Sequence, residues 1–205
     1  MISIYTHPQF INKIDKQSIR TIVECGSRDC LDAIEMNNYY YPDIIYSFEC
    51  NPESIDVCKT NLLPNIKLIE KAVCDKNGIV DFYPTDMDKS IDKNIGASSL
   101  LWHRDNKVEF FQKHIQVGAI RLDTFMEQEG ISGIDLLCMD LQGAEHLALE
   151  GLGSRIKDVR YIISEVSFKS HYEGDMLRVE IRRLLNKKGF DVLQYISGNV
   201  LFKRR

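Results

Sequence analysis

Residues 134–153 read IDLLCMDLQGAEHLALEGLG, and this stretch decides the fold class. The apolar run at 134–139 has the length and composition of a buried strand, and Asp140 follows it directly. Residues 143–145 then open a pattern typical of a helix. An apolar strand followed by a polar turn and a helix is the repeating unit of an α/β fold with a mostly parallel sheet.

The same alternation extends outward along the chain in both directions. The last two predicted strands form a hairpin around Ser197 and Gly198, which places an antiparallel strand in an otherwise parallel sheet. A polar stretch at 85–113 interrupts the pattern and indicates a functional loop. The predicted strands are 20–24, 44–48, 67–73, 78–83, 116–122, 134–139, 161–164, 190–196 and 199–203, and the predicted helices are 29–37, 53–61, 123–129, a segment beginning near 143, and 176–188.

Length and composition limit the class of protein. With 205 residues, 44% hydrophobic and 27% charged, the chain is expected to form one globular domain over 1–205. It contains neither an apolar run long enough to cross a bilayer nor the apolar core of a signal peptide. Its six cysteines include no CxxC pair, so we expect buried thiols in a reducing cytoplasm. The net charge of −4 provides no basic field for nucleic acid.

Acidic residues stand at the carboxyl ends of four predicted strands: Glu24, Glu49, Asp140 and Glu165. In open α/β sheets, ligands bind at these strand ends, where the strand order reverses. Glu49, 25 residues after Glu24, is placed to accept hydrogen bonds from the two ribose hydroxyls of an adenosine cofactor. Each acid taken alone could equally cap the helix that follows it.

The turn after the first strand distinguishes between two adenosine cofactors. It reads ECGSRDC over 24–30, with a single glycine. A dinucleotide enzyme would need the glycine-rich turn GxGxxG, which lets the backbone approach a pyrophosphate. A carboxylate at Glu24 or Asp29 would repel a pyrophosphate but attract the ammonium group of a methionine moiety. The residues therefore favour S-adenosylmethionine over NAD.

Five segments resemble the FkbM family of S-adenosylmethionine-dependent O-methyltransferases. They read IVECGSRDC, YSFECNP, IEKAVCD, IRLDTF and IDLLCMDLQGAEHLALEGLG, and the resemblance runs from Thr21 to about Phe190. Its most specific block is DLQGAE at 140–145. The arrangement of strands and the resemblance both imply a Rossmann-like class I methyltransferase. In such a fold, a central, mostly parallel seven-stranded sheet ends in a C-terminal antiparallel hairpin.

Two further segments refine the resemblance. GASSL at 96–100 is similar to the family's serine-containing loop near the cofactor and active site, which implicates Ser98. The family's first motif usually reads VDVGANxG. In this chain its Asp, Ala, Asn and last Gly are replaced by Glu24, Ser27, Arg28 and Cys30.

Carried over position by position, the resemblance implies a cofactor site. The methionine end would lie in the turn after the first strand, and the ribose at Glu49. The adenine would lie beside Cys50, and the sulfonium and the acceptor would face Asp140 and Gln142. The implied cofactor-binding residues are Glu24, Gly26, Ser27, Asp29, Glu49, Cys50, Ala72, Val73, Ser98, Asp140 and Gln142.

Methyl transfer to a hydroxyl requires a group that makes the acceptor oxygen a better nucleophile. A base can remove its proton, or a metal ion can lower its pKa. Asp140 is the first candidate base, Glu165 could share that role, and His171 is a second candidate because imidazole titrates near neutral pH. Asp140 and Glu165 could instead hold a divalent cation, with oxygen ligands that suit Mg²⁺. The sequence leaves base and metal ligand both open.

The resemblance implies a small-molecule or glycan acceptor, and we expect a hydroxyl of a sugar or glycan precursor. Enzymes that methylate amino groups of nucleic acids typically carry N/D-P-P-Y after the strand that Asp140 ends, whereas this chain reads DLQG there. Two alternatives remain open. One is a protein or nucleic-acid methyltransferase, and the other is a non-catalytic methyltransferase-fold module of a larger glycan-assembly protein.

Overall fold

The computed structural model describes residues 3–91, 94–104 and 111–205. Within these ranges the helices are α1 (Pro8–Ile11), α2 (Leu31–Tyr40), α3 (Pro52–Thr60), α4 (Leu122–Gln128), α5 (Glu145–Gly151) and α6 (Arg178–Lys187). The strands are β1 (Thr21–Cys25), β2 (Ile44–Phe48), β3 (Ile66–Ile69), β4 (Ala72–Val73), β5 (Gly78–Phe82), β6 (Ile115–Ile120), β7 (Ile134–Met139), β8 (Val159–Glu165), β9 (Phe190–Ile196) and β10 (Asn199–Arg204).

Seven strands form the central sheet, in the order β3-β2-β1-β7-β8-β10-β9. The first five run parallel, and β10 pairs antiparallel with both β8 and β9. The predicted seven-stranded, mostly parallel sheet with a C-terminal hairpin is confirmed. The strand order reverses between β1 and β7, which is the place where open α/β sheets bind ligands.

A second sheet, β4-β6-β5, corrects two predicted strands. The predicted strand 67–73 divides at the charged, exposed pair Glu70 and Lys71, because β3 ends in the central sheet and β4 pairs instead with β6. The predicted strand 116–122 ends at Ile120, since α4 begins two residues later. This small sheet lies beyond the end of β3 and contributes Ala72 and Val73 to the cavity described below.

Alternating side chains of the central sheet build two core layers. Val23, Leu137 and Ile162 belong to the layer that contains α4 and α5 residues, whereas Ile22 and Leu136 belong to the layer that contains α2 residues. This alternation follows from the two-residue period of a strand. Each face of the sheet is therefore covered, as a parallel sheet requires.

The segment before β1 packs on the α2 layer, an arrangement that the sequence patterns did not predict. Phe10 and Ile14 are buried in that layer. Glu35 Oε2 accepts a hydrogen bond from the Ser3 backbone N–H at 2.6 Å, and the Tyr40 hydroxyl donates to the Tyr5 carbonyl at 3.0 Å. These contacts fix the segment beside the carboxyl end of β1.

None of the helices in the described ranges is long and apolar enough to cross a membrane.

Candidate active site

The carboxyl ends of four central strands are level with one another. Cys25 pairs with both Phe48 and Met139, and Met139 pairs with Ser164. The next residue of each strand therefore falls at the same edge of the sheet. These four residues are Gly26, Glu49, Asp140 and Glu165.

Gly26 lets the chain turn sharply out of β1. Its φ is +88°, and a Cβ at this position would lie 2.0 Å from the Asp140 carbonyl oxygen. Both Gly26 and Ser27 donate their backbone N–H groups to the Phe48 carbonyl at 3.0 Å. Only glycine allows this left-handed backbone so close to the neighbouring strand.

The first cavity, which we call the Glu49 cavity, opens above β1, β2 and β7 and encloses about 990 Å³ including its mouth. Cys50, Ala72 and Leu100 pack in one cluster and mark an apolar end, whereas the charges of Asp32 and Asp140 act on Tyr5 and mark a polar end. The apolar end is lined by Cys50, Ala72, Val73, Phe82 and Leu100, and the polar end by Tyr5, Arg28, Asp32 and Asp140.

Glu49 organises the wall of this cavity. Its Oε2 accepts a hydrogen bond from the Arg28 backbone N–H at 2.8 Å, and its Oε1 accepts from those of Cys50 and Asn51 at 2.8 and 2.7 Å. Burial raises the pKa of Glu49, although the three backbone N–H groups oppose this effect. Through these hydrogen bonds, the Glu49 carboxyl group connects the turn after β1 to the end of β2.

The structure places most of the predicted cofactor-binding residues in the Glu49 cavity and three outside its lining. Glu24 is buried, and its Oε2 accepts a hydrogen bond from Ser47 Oγ at 2.7 Å. Burial raises the pKa of Glu24 to about 8. Ser27 Oγ donates to the Phe48 carbonyl, and Asp29 accepts from the Leu31 backbone N–H while pairing with Arg28. The predicted residues that line the cavity are Gly26, Glu49, Cys50, Ala72, Val73, Ser98, Asp140 and Gln142.

Two residues of the polar end were missed by the sequence analysis. Asp32 lies in the first turn of α2, and burial raises its pKa. Tyr5 comes from the segment before β1 and is 2% exposed. The acid-rich turn before α2 was an available signal for Asp32, whereas no local pattern distinguishes Tyr5.

The second cavity, which we call the Glu165 cavity, adjoins the first and encloses about 1140 Å³ including its mouth. The predicted catalytic residues Glu165 and His171 both line it, and Asp140 borders the first cavity. His171 is exposed, and its ring stacks on that of His103 with 6.3 Å between centroids. Asn94 and Gln142 line both cavities.

Gln142 forms the junction between the two cavities. Its backbone is left-handed, with φ +50°. Its Nε2 donates to Asp140 Oδ1 at 2.7 Å and to Glu165 Oε2 at 3.0 Å, and its Oε1 accepts from the Tyr172 hydroxyl at 3.3 Å. One amide group therefore fixes both strand-end carboxyls.

Three carboxyl groups meet at this junction, with one oxygen each of Asp140, Glu145 and Glu165 within 4.8 Å of one another. Burial and the nearby Asp140 raise the pKa of Glu165 to about 9. Burial raises the pKa of Glu145, a residue missed by the sequence analysis, to about 7. The raised pKa favours the protonated form of Glu165 at neutral pH. Such a carboxyl group can donate a hydrogen bond, and the three together have the oxygen-donor chemistry that suits a divalent cation.

A sheet of this order, with a glycine turn after β1 and an acid at the end of β2, is the Rossmann-like fold of class I methyltransferases. The model of the FkbM methyltransferase domain matches residues 25–192. The chain belongs to this family of S-adenosylmethionine-dependent methyltransferases.

A curated relative agrees with this assignment. The chain is 28% identical over 180 residues to the 2-O-methyltransferase NoeI of Sinorhizobium fredii, covering 85% of this chain and 74% of that protein.

Two solved structures share the fold. One is a methyltransferase FkbM from Methylobacillus flagellatus KT, with a TM-score of 0.58 and 11% identity over 90% of this chain, which spans only 43% of that chain. The other is M. capricolum TrmK in complex with S-adenosylhomocysteine, with a TM-score of 0.50 and 12% identity, covering 96% of this chain and 66% of that chain. At these identities the likeness shows the fold alone.

Proposed function

We propose that this protein transfers the methyl group of S-adenosylmethionine to a hydroxyl of a sugar or glycan precursor. The observation that carries the proposal is the junction at Gln142, where two strand-end carboxyls stand between two adjoining cavities. The Glu49 cavity would hold the cofactor, and the Glu165 cavity would hold the acceptor.

The chemistry of the Glu49 cavity fits the cofactor. Its apolar end suits the adenine ring, Glu49 suits the ribose hydroxyls, and the carboxylates of the polar end suit an ammonium group. When bound, S-adenosylmethionine supplies a methyl group on a positively charged sulfur, which a nucleophilic oxygen displaces. The protein's contribution is to hold the acceptor oxygen in line with that methyl group.

Asp140 and Glu165 would then have different roles. Asp140, the exposed member of the pair, accepts the proton of the acceptor hydroxyl. Glu165 keeps its proton at neutral pH and donates a hydrogen bond that orients the acceptor. His171, exposed on the wall of the same cavity, contacts the acceptor farther from the junction.

Metal assistance is the alternative for the same step. Asp140 and Glu165 would be ligands of a divalent cation, and Glu145 would add a third carboxylate. A cation would lower the pKa of Glu165 and require its ionised form. Methyl transfer measured with Mg²⁺ and with a chelator separates the two mechanisms, because only the metal mechanism loses its activity in the chelator.

The charge of the Glu165 cavity supports a neutral or amino-bearing sugar as acceptor. Its described lining carries the carboxyl groups of Glu145, Glu165 and Asp175 but neither Lys nor Arg. A phosphate group, in a nucleotide-activated sugar or in a nucleic acid, would meet carboxyl groups there without a compensating cation. The name of the 2-O-methyltransferase NoeI supports oxygen as the acceptor atom.

The experiment is methyl transfer from isotopically labelled S-adenosylmethionine to a panel of neutral sugars and their methyl glycosides. Each is paired with its 2-deoxy counterpart, and Asp140→Asn is the control variant. Transfer to a sugar that is lost with a deoxy counterpart and with Asp140→Asn supports the proposal. Equal transfer to peptides or RNA would contradict it. Cofactor binding without transfer to any acceptor would favour the non-catalytic module.

A further inference from the structure

The polar end of the Glu49 cavity is lined by a tyrosine whose hydroxyl has no hydrogen-bond partner among the described residues. Tyr5 is 2% exposed and lines the cavity, yet its hydroxyl makes no hydrogen bond to any part of the chain that the structure describes. Its backbone is fixed from both sides, because its carbonyl accepts from the Tyr40 hydroxyl and its N–H donates to Ser3 Oγ at 3.2 Å. Every fully enclosed side-chain polar atom of the described residues has a partner, so the unpaired Tyr5 hydroxyl is one that opens into the cavity, where a ligand can reach it.

We propose that Tyr5 and Asp32 bind the amino-acid end of the cofactor, with the Tyr5 hydroxyl donating to its carboxylate and Asp32 accepting from its ammonium group. This inference rests on the proposed use of the Glu49 cavity for S-adenosylmethionine. It assigns a cofactor-binding role to the segment before β1, which lies outside the residues matched by the family model.

The shape of the cavity puts the amino-acid end beside these two residues. The apolar end suits the adenine ring, which leaves the amino-acid end of the cofactor at the opposite end, lined by Tyr5, Asp32 and Asp140. Of the four residues that the sequence assigned to the methionine end, Gly26 lines the cavity, whereas Glu24, Ser27 and Asp29 lie outside its lining and their side chains have protein partners.

The charges at this end of the cavity indicate which residue binds the carboxylate of the cofactor and which binds its ammonium group. Carboxyl groups predominate at this end, where Arg28 is paired with Asp29 through Nε at 3.2 Å. The Tyr5 hydroxyl adds an unpaired neutral donor for a carboxylate at the same end. Asp32 supplies a carboxyl group on the same wall that can accept from an ammonium group.

Three ligands that differ only at the amino-acid end test the assignment by calorimetric titration. S-Adenosylhomocysteine carries both charged groups, its decarboxylated analogue carries only the amine, and 5′-methylthioadenosine carries neither. We expect Tyr5→Phe to weaken S-adenosylhomocysteine roughly ten- to hundredfold and to leave the other two unchanged. Asp32→Asn should weaken S-adenosylhomocysteine and the decarboxylated analogue by similar factors and leave 5′-methylthioadenosine unchanged.

Tyr39→Phe is the matched control, because it removes a neighbouring hydroxyl that does not line the cavity. It should leave all three affinities unchanged. If Tyr5→Phe weakened all three ligands equally, or none of them, the inference would be overturned while the cofactor site remained. If the wild-type protein bound none of the three ligands, the proposed function would fail together with the inference.

Discussion

The side-chain nitrogen of Gln142 lies 3.0 Å from Oε2 of Glu165 and donates a hydrogen bond to it. This hydrogen bond lies where the two cavities meet, because Gln142 lines both. The same nitrogen also donates to Asp140, so one amide group holds both carboxyl groups in place. Gln142 has a left-handed backbone, with φ +50°, in the turn that follows β7. Burial and the neighbouring Asp140 raise the pKa of Glu165, and such a shift is a common feature of acid–base sites.

Replacing the carboxyl group by an amide should have different effects on kcat at Asp140 and at Glu165. Asp140→Asn removes the proposed base and should lower kcat by roughly 10²- to 10⁴-fold. Glu165→Gln keeps a neutral hydrogen-bond donor and should retain kcat within about tenfold at pH 7.5. The wild-type rate should fall as pH rises through about 9, because Glu165 then loses its proton. This fall should be absent in Glu165→Gln, and a pH profile of kcat for the three proteins checks both statements.

The metal alternative gives the opposite pattern. Glu165→Gln would then remove a ligand and abolish transfer as completely as Asp140→Asn does. That outcome, together with loss of wild-type activity in a chelator, would replace the acid–base assignment.

Glu24 should make the protein less stable as pH rises. Its pKa is about 8 in the folded state and about 4.5 when exposed, so between these values the folded state holds a proton that the unfolded state releases. The free energy of unfolding therefore falls with increasing pH, by up to about 1.4 kcal/mol per pH unit. Glu24→Gln should reduce this slope in denaturant titrations from pH 5 to 8. The exposed Glu53→Gln is the control, and equal slopes for all three proteins would refute the buried-acid assignment.

Gly26 should tolerate no side chain. Alanine there would need a left-handed backbone and would place its Cβ 2.0 Å from the Asp140 carbonyl oxygen. We expect Gly26→Ala to lower the free energy of unfolding by about 3 kcal/mol, through backbone strain and overpacking. Gly118→Ala is the matched control, because its Cβ would meet only Lys71 Cγ at 3.8 Å. Thermal unfolding measures both, and a Gly26→Ala protein as stable as the control would contradict the close approach of β1 to β7.

Local patterns in the sequence predict most of the central sheet. The apolar runs of β1, β2 and β7 are bounded by polar turns, so their positions follow from the sequence to within about a residue. The division between β3 and β4 does not, because it depends on which distant strand each one pairs with. Pairing partners are set by tertiary packing rather than by local propensity.

Residues of the candidate site could likewise be predicted where local sequence determines their position, but not where tertiary packing does. Glu49 and Asp140 were predicted because they immediately follow strands, where the fold itself forms a cleft, whereas Gln142 came from the family resemblance. Glu24 lies inside β1, and the two-residue period directs its side chain toward the layer of Ile22 rather than toward the cleft. Tyr5 could not be found in this way, since its position depends on how the segment before β1 packs against α2.

The most direct test of the central claim is a calorimetric titration of S-adenosylhomocysteine into the wild-type protein and Glu49→Ala. The account predicts micromolar binding to the wild-type protein and a loss of at least tenfold in the variant, because Glu49 both faces the cavity and holds the turn after β1. Equal affinity in the two proteins, or no binding by the wild-type protein, would contradict the assignment of the Glu49 cavity to the cofactor.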